Sequence, residues 1–257
     1  MCGRYASSRQ PDELAEEFEI DELRLQEPLT ESYNVAPTDD VYAVLERPPR
    51  EDDASSERQL RSVRWGLVPS WAKDVKIGNR MINARMETVA EKPAYRRAFA
   101  KRRCLLPADG YFEWYATEAK DAPSTASGSA SAKGKPRKQP YFITPKDGGV
   151  LAMAGLYELW PDPAKAEDDP GRWLWSCTVI TTEAEDSLGR IHDRMPLMVE
   201  RERWDEWLDP TRPGDVGLLT PAAPGHLEAF PVSTLVSNVR NDGRELIEPL
   251  PIEEAGG

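Results

Sequence analysis

Short runs rich in Val, Ile, Thr, Tyr, Phe and Trp, separated by polar and turn-forming residues, recur along most of this chain. The pattern predicts strands over Val41–Leu45, Val63–Val68, Tyr111–Tyr115, Tyr141–Thr144, Val150–Ala154 and Trp173–Thr181. Three segments read as helices. Pro11–Ile20 has Pro11 near its first turn and Leu14 and Phe18 one turn apart. Thr88-Val89-Ala90-Glu91 is a capping box that opens a helix with Tyr95 and Phe99 on one side and arginines on the other. Thr182-Glu183-Ala184-Glu185 is a second such box, for a helix ending near Gly189. Strands do not alternate regularly with helices, which argues against a βαβ parallel sheet. An α+β fold is expected instead, a single domain over residues 2–245 built on a mixed, mainly antiparallel, partly barrelled β-sheet with flanking helices. Residues 246–257 read as a C-terminal tail.

Three polar stretches interrupt the pattern. Thr117–Gln139, rich in Ser, Ala, Gly, Pro and Lys, reads as a flexible insertion between two strands. Asp162–Arg172 reads as a shorter acidic turn, and Pro48–Gln59 as exposed chain. Strand-like sequence resumes on both sides of each, so none marks a domain boundary.

Composition narrows the class. The 257 residues suffice to bury a real core. Three widely spaced cysteines (Cys2, Cys104, Cys177) and no CxxC pair argue against a disulfide framework or a structural zinc site. No metal or cofactor is implied. Residues 1–30 lack a basic and then apolar leader, and no apolar run approaches membrane-spanning length, so a soluble, cytoplasmic protein is expected. The formal net charge of −12 taken alone argues against nucleic-acid binding. Yet residues 61–103 carry twelve Lys or Arg against three acidic residues, which fits a localised phosphate-binding face in an acidic body. A solvated helix face is the alternative for Arg96–Arg103. Abundant acidic residues, with arginines outnumbering lysines, suggest a salt-adapted host.

The chain opens Met1-Cys2-Gly3-Arg4. Removal of the initiator methionine, which a small second residue permits, would give Cys2 a free α-amine beside its thiol. With reference pKa values of about 8 and about 8.5, both nucleophiles are partly reactive near neutral pH. An aldehyde meeting the pair can form an imine and then close onto sulfur as a thiazolidine.

Four segments mix polar with aromatic or apolar residues in a way ordinary loops do not: Met1–Tyr5, Ile82–Thr88, Gly110–Trp114 and Ile191–Pro196. A fifth, Trp65-Gly66-Leu67-Val68-Pro69-Ser70-Trp71, lies between the first two. Together they resemble the SOS-response-associated peptidase (SRAP) family of abasic-site processing proteins, which crosslink to DNA through an N-terminal cysteine. The resemblance spans roughly Cys2 to Asp242. It implies Cys2 as nucleophile, with Asn83, Glu113 and His192 as polar active-site residues. It also implies Arg4, Arg85 and Arg194 at DNA phosphates, with Asn34, Pro37, Trp71 and Trp114 among the DNA-binding residues. The expected partner is single-stranded or junction DNA containing abasic sites, met by a monomer. Met86, where a small polar residue is usual, and the Tyr-Phe pair before Glu113 are departures that touch no proposed catalytic atom.

The residue types suit that chemistry. A carboxyl between aromatic residues, as at Glu113, is expected to have a raised pKa and to move protons at the sugar and at the attacking amine. His192 suits proton shuttling, while His226 reads as structural. Asn83 cannot titrate and suits positioning. A salt bridge within the protein is the alternative for each arginine, and a core position for each of Trp65, Trp71 and Trp114. Class II glutamine amidotransferases also begin Met-Cys-Gly, but their following His-Arg-Gly run is missing here. Removal of the chain's own leader by Cys2 and Glu113 is a peptidase reading of the same residues. A DNA-binding module with an incidental Cys2 would leave Glu113 and His192 without a role, and replacing Cys2 separates that reading from covalent capture.

Overall fold

A computed structural model describes residues 2–48, 56–116, 138–185 and 188–251. The β-rich runs form thirteen strands among these residues: β1 (Tyr5–Ser7), β2 (Glu22–Arg24), β3 (Ser32–Val35), β4 (Asp40–Arg47), β5 (Glu57–Trp65), β6 (Asn83–Arg85), β7 (Arg103–Ala108), β8 (Gly110–Ala116), β9 (Lys138–Pro145), β10 (Leu151–Pro161), β11 (Trp173–Glu183), β12 (Arg194–Pro196) and β13 (Leu227–Pro231). Three short helices join them: α1 (Pro11–Glu17), α2 (Arg96–Lys101) and α3 (Trp204–Leu208).

One sheet is antiparallel, in the order β13-β9-β8-β1-β3. The other runs β12-β11-β10-β7-β4-β5-β2, with β6 added on β11. It closes on itself because β5 also pairs with β11, making a ring of β5, β4, β7, β10 and β11. Five strands in a ring cannot all alternate direction, so one pair must be parallel. That pair is β5–β11, registered through Ser176↔Arg64 and Cys177↔Trp65. The partly barrelled sheet expected from sequence is this ring.

Strand alternation buries both faces of the ring. Tyr42, Val44, Leu105 and Ile180 join Leu14 and Phe18 of the α1 region, Phe99 of α2 and Trp204 and Trp207 of α3 in one core. Val41, Ala43, Leu45, Leu106 and Val179 join Cys2, Tyr5, Val35, Tyr111 and Ile143 in a second core, between the two sheets. Each large apolar side chain buried there contributes about 1.5–3 kcal/mol. On the far face of the smaller sheet, Phe112 and Phe142 pack on Val232, Val236 and Leu246. The packed chain continues to Leu250, whose amide donates to the Pro231 carbonyl at 2.9 Å.

The two capping boxes do not start helices. Thr88 Oγ1 is buried without a partner among the described residues, Pro93 follows, and turns fill the chain until α2 begins at Arg96. Thr182 and Glu183 instead extend β11, paired with Met195 and Arg194 of β12. The first predicted helix forms over Pro11–Glu17, with the Gln10 amide donating to Glu13 Oε2 at 2.9 Å. It stops before Glu19, whose φ of 54° is left-handed. The Thr117–Gln139 insertion falls almost wholly outside the described residues, but its ends are defined by Ala116 paired with Lys138. Asp162–Arg172 is a turn closed by the Asp162 amide on the Arg172 carbonyl at 2.8 Å. No described helix is long and apolar enough to cross a membrane.

Candidate active site

Cys2 lies three residues before the start of β1 and is fully buried in the core between the sheets, where the Tyr5 and Trp65 rings lie 5.1 Å apart. β1 and β8 are registered through Tyr5↔Tyr111 and Ala6↔Gly110, and the Phe112 amide donates to the Arg4 carbonyl at 2.9 Å. Continuing that antiparallel register sets Gly3 beside Glu113 and carries Cys2 to the carboxyl. Along β8 the side chains alternate. Tyr111 belongs to the core that holds Cys2, and Glu113, two residues on, shares its side. Phe112 and Trp114 take the opposite face.

Burial raises the proton affinity of both groups. It pushes the Cys2 thiol far up, with the charge of Glu113 adding to the effect. It also lifts the Glu113 carboxyl above its ordinary value, with nearby His192 opposing the rise. The electrostatic reach of Glu113 to Cys2, and of His192 to Glu113, places the three in one neighbourhood.

Asn83 completes it from the larger sheet. β6 adds to β11 as a parallel strand, with Val179↔Asn83, Ile180↔Ala84 and Thr181↔Arg85 in register. Ala84 is buried, so Asn83 and Arg85 share the opposite side. Asn83 Nδ2 donates to the Cys2 carbonyl at 2.7 Å, while Asn83 Oδ1 is buried with no partner among the described residues. Two aromatic residues steady this strand. Tyr95 Oη donates to the Asn83 carbonyl at 3.2 Å, and Trp65 Nε1 donates to the Ile82 carbonyl at 3.0 Å. Sequence reasoning assigned Tyr95 to a helix face; the role it has here needed the fold.

His192 Nδ1 lies 2.9 Å from the Arg194 amide and 3.0 Å from Asp193 Oδ1. One nitrogen cannot accept from the first and donate to the second at once. The amide proton is fixed and the Asp193 side chain is 87% exposed, so Nδ1 is the acceptor when the ring is neutral, with the proton on Nε2. Arg194 spans Glu87 with two bonds of 2.6 and 3.1 Å and also donates to the Thr181 carbonyl. This pairing holds the Glu87 carboxyl below its ordinary value. Arg85 is exposed and has no ionic partner among the described residues.

Five other candidates lie apart from this group, and three of them gather around segment 236–241. Arg4 Nη1 donates to Asn34 Oδ1 at 2.8 Å and to the Val236 carbonyl at 3.0 Å, with its guanidinium 5.8 Å from the Trp114 ring centre. Asn34 is buried, and its Nδ2 lies 3.3, 3.1 and 2.7 Å from the carbonyls of Val236, Asn238 and Asn241. Trp114 Nε1 donates to Ser237 Oγ at 3.1 Å. Arg4, Asn34 and Trp114 thus tie segment 236–241 to the small sheet. Pro37 lies in the tight turn closed by the Asp39 amide on the Ala36 carbonyl. The following Thr38 has φ 83°, a strained value for a β-branched residue. Trp71 is 58% exposed, in a loop whose base is pinched by two glycines. A Cβ on Gly66 (φ 125°) would come 2.6 Å from the Gly78 carbonyl oxygen.

The basic run 61–103 does not form one face. Arg103 is buried and donates to the carbonyls of Phe99, Ala100, Trp207, Asp209 and Arg212. Arg102 pairs with Glu158, and Arg61 lies 4.2 Å over Trp175.

A cysteine thus sits beside a buried carboxyl, at the seam of a small sheet and a five-stranded ring. The family model described as SOS response associated peptidase (SRAP) matches residues 1–239, and the chain belongs to that family. It is 39% identical over 251 residues to abasic site processing protein YoqW of Bacillus subtilis (strain 168), covering 96% of this chain and 99% of that protein. It is 33% identical to abasic site processing protein HMCES of Gallus gallus, over 98% of this chain and 79% of that one. The fold matches a crystal structure of a Bacteroides thetaiotaomicron protein with a TM-score of 0.73 at 23% identity, covering 97% of this chain and all of that one.

Proposed function

We propose that this is an abasic site processing protein whose Cys2, once Met1 is removed, becomes covalently joined to abasic sites in single-stranded or junction DNA. The observation that carries the reading is the 2.7 Å bond from Asn83 to the Cys2 carbonyl, which fixes the nucleophile's backbone beside a buried carboxyl whose proton affinity burial raises. The names of the relatives support the substrate.

Chemistry follows from the protonation states. Protonated Glu113 donates to the sugar ring oxygen through one carboxyl oxygen, while the other takes the anomeric hydroxyl proton. The ring opens to the aldehyde and the acid is restored. The Cys2 amine then attacks C1′, because burial keeps the thiol protonated. The carbinolamine loses water, with Glu113 protonating the departing hydroxyl and the N–H proton returning to the carboxylate. Finally the S–H adds across the C=N bond, sulfur to carbon and proton to nitrogen, closing the thiazolidine. The net reaction joins aldehyde and aminothiol with release of one water. In its neutral form His192 carries its proton on Nε2 and donates a hydrogen bond in this neighbourhood. Asn83 Oδ1 supplies an acceptor for a sugar hydroxyl.

Arg85 is suited to a phosphate next to the lesion, since it shares a side with Asn83. Arg194 engages DNA by exchanging exposed Glu87 for phosphate, and Arg4, Asn34 and Trp114 hold segment 236–241 against the strand. Trp71 and Pro37 act as wedges at a junction. The imine stage also opens β-elimination, since it acidifies C2′. The Cys2–Glu113 pair equally suits release of the residue ahead of Cys2.

A denaturing gel with an oligonucleotide carrying one abasic site tests the reading, with mass spectrometry verifying loss of Met1. A heat-stable shifted band is expected from the parent and absent from Cys2→Ala. No adduct from protein with a free Cys2 amine would overturn it.

A further inference from the structure

A second cationic site lies on another part of the molecule. A cleft of about 480 Å³ opens between the loop after β5 and the turn joining β10 to β11. Arg64, Lys73, Lys165 and Arg172 line it, with Trp160 and Trp173 as its aromatic walls. The two acidic residues in the lining are already committed to backbone. Asp74 Oδ1 accepts from the Lys76 amide at 2.9 Å, and Asp162 Oδ1 from the Ala164 amide at 2.9 Å. The cations are poorly matched by comparison. The Arg64 guanidinium has no hydrogen-bond or ionic partner among the described residues, and its Nε is buried. The Arg172 Nε is buried and unpartnered too, and its nearest carboxylate, Glu167, is 3.9 Å away and almost fully exposed. Lys165 Nζ donates to the Gly171 carbonyl at 2.6 Å.

Buried guanidinium N–H groups left without acceptors are costly unless a ligand completes them. A pair of arginines with lysines at the rim matches phosphate oxygens. Trp173 at the cleft edge is 51% exposed, a large aromatic surface open to a planar partner. Trp160 is fixed as the inner wall by its Nε1, which donates to the Ala72 carbonyl at 2.7 Å. The loop contributing Lys73 is the one that carries Trp71 and runs on to Asn83, so the cleft is joined in sequence to the reactive centre.

We propose that this cleft holds the phosphodiester backbone of a single DNA strand, with Arg64 and Arg172 on phosphates and Trp173 stacked on a base. The choice of DNA as ligand rests on the function proposed above; the match of arginines to phosphate and of Trp173 to a planar ring does not. The site is sequence-tolerant, because every base offers a ring face. It gives an acidic protein a local grip on undamaged strand flanking the lesion, apart from the covalent step.

The test uses full-length protein and an undamaged fluorescent oligothymidylate of about 20 nucleotides, followed by anisotropy across a salt series. Arg64→Gln with Arg172→Gln should weaken binding about tenfold or more and flatten the log–log salt slope by about 1.4, the value for two phosphate contacts on a single strand. Trp173→Ala, at an exposed position that should not disturb folding, should weaken binding about tenfold with no change in that slope. Crosslink yield on abasic DNA at saturating concentration should stay at the parent level in both variants. Unchanged affinity and slope in these variants would overturn the cleft proposal and leave the covalent function standing. Equally tight competition by inorganic phosphate or thymidine monophosphate would also overturn it, reducing the cleft to a small-anion site. Loss of strand binding in the variants, in a parent that never crosslinks, would support the cleft and sink the proposed function instead.

Discussion

A buried asparagine, Asn34, and a half-buried one, Asn83, sit at two junctions of this molecule, and they are satisfied to different degrees. Asn34 accepts from Arg4 and has three backbone carbonyls within reach of its Nδ2, so its polar atoms are used within the protein. Asn83 donates to the Cys2 carbonyl, but its buried Oδ1 has no partner among the described residues. A saturated polar network rigidifies; a half-saturated one is expensive to maintain without a ligand. The difference separates a clamp that holds the chain in shape from a site prepared for something to arrive.

The comparison can be broken most sharply at the carboxyl. Glu113→Gln keeps the shape but removes the proton carrier, and single-turnover crosslinking on abasic DNA should slow about 10²–10⁴-fold. Circular dichroism should show the fold retained. An unchanged rate would remove Glu113 from the chemistry.

The asparagines should then part company. Asn34→Ala strips Arg4 and several carbonyls of a buried partner and should lower unfolding free energy by about 2–4 kcal/mol in a denaturant titration. Asn83→Ala should shift that midpoint far less, yet slow crosslinking about 10²-fold through misplacement of Cys2. Equal stability losses in the two would dissolve the distinction.

Smaller effects concern pH. Burial raises the Glu113 value in the folded protein above its ordinary 4.5, so the folded state holds the proton more tightly than the unfolded chain. Its contribution to stability is full below about 4.5 and is lost as pH rises through the folded value. Glu113→Gln should therefore gain on the parent in stability as pH climbs through that window. Glu87 is the reverse case, held low by Arg194. Its contribution is present above about 4.5 and fades as pH falls through the lowered value, so Glu87→Gln should narrow its deficit against the parent in acid. The second effect should be the smallest of all, because this carboxylate is partly exposed and screened.

Much of the sheet was legible along the chain, since β-branched and aromatic runs such as Val41–Leu45 and Tyr111–Tyr115 lie inside real strands. The capping-box readings at Thr88 and Thr182 failed for separate reasons. Pro93 lies within the helix predicted from Thr88, and β12 offered Thr182 and Glu183 a strand partner that no local pattern reveals. At the site, the motif around Glu113 foretold a buried carboxyl with raised proton affinity. The grip of Asn83 on Cys2, the support from Tyr95 and the internal engagement of Arg4 and Asn34 link residues 12 to 207 positions apart and had no local signature.

The sequence by itself determined the chemical identities available here: an aminothiol at position 2 once Met1 is gone, a carboxyl among aromatics, and strands too closely spaced for a parallel βαβ sheet. Only the tertiary structure decided which groups meet. The parallel β5–β11 closure, forced by an odd ring, seats β6 and therefore Asn83. The β1–β8 register brings Cys2 to Glu113. Burial then sets their proton affinities, because desolvation depends on what surrounds a group in space and not on its neighbours in the chain.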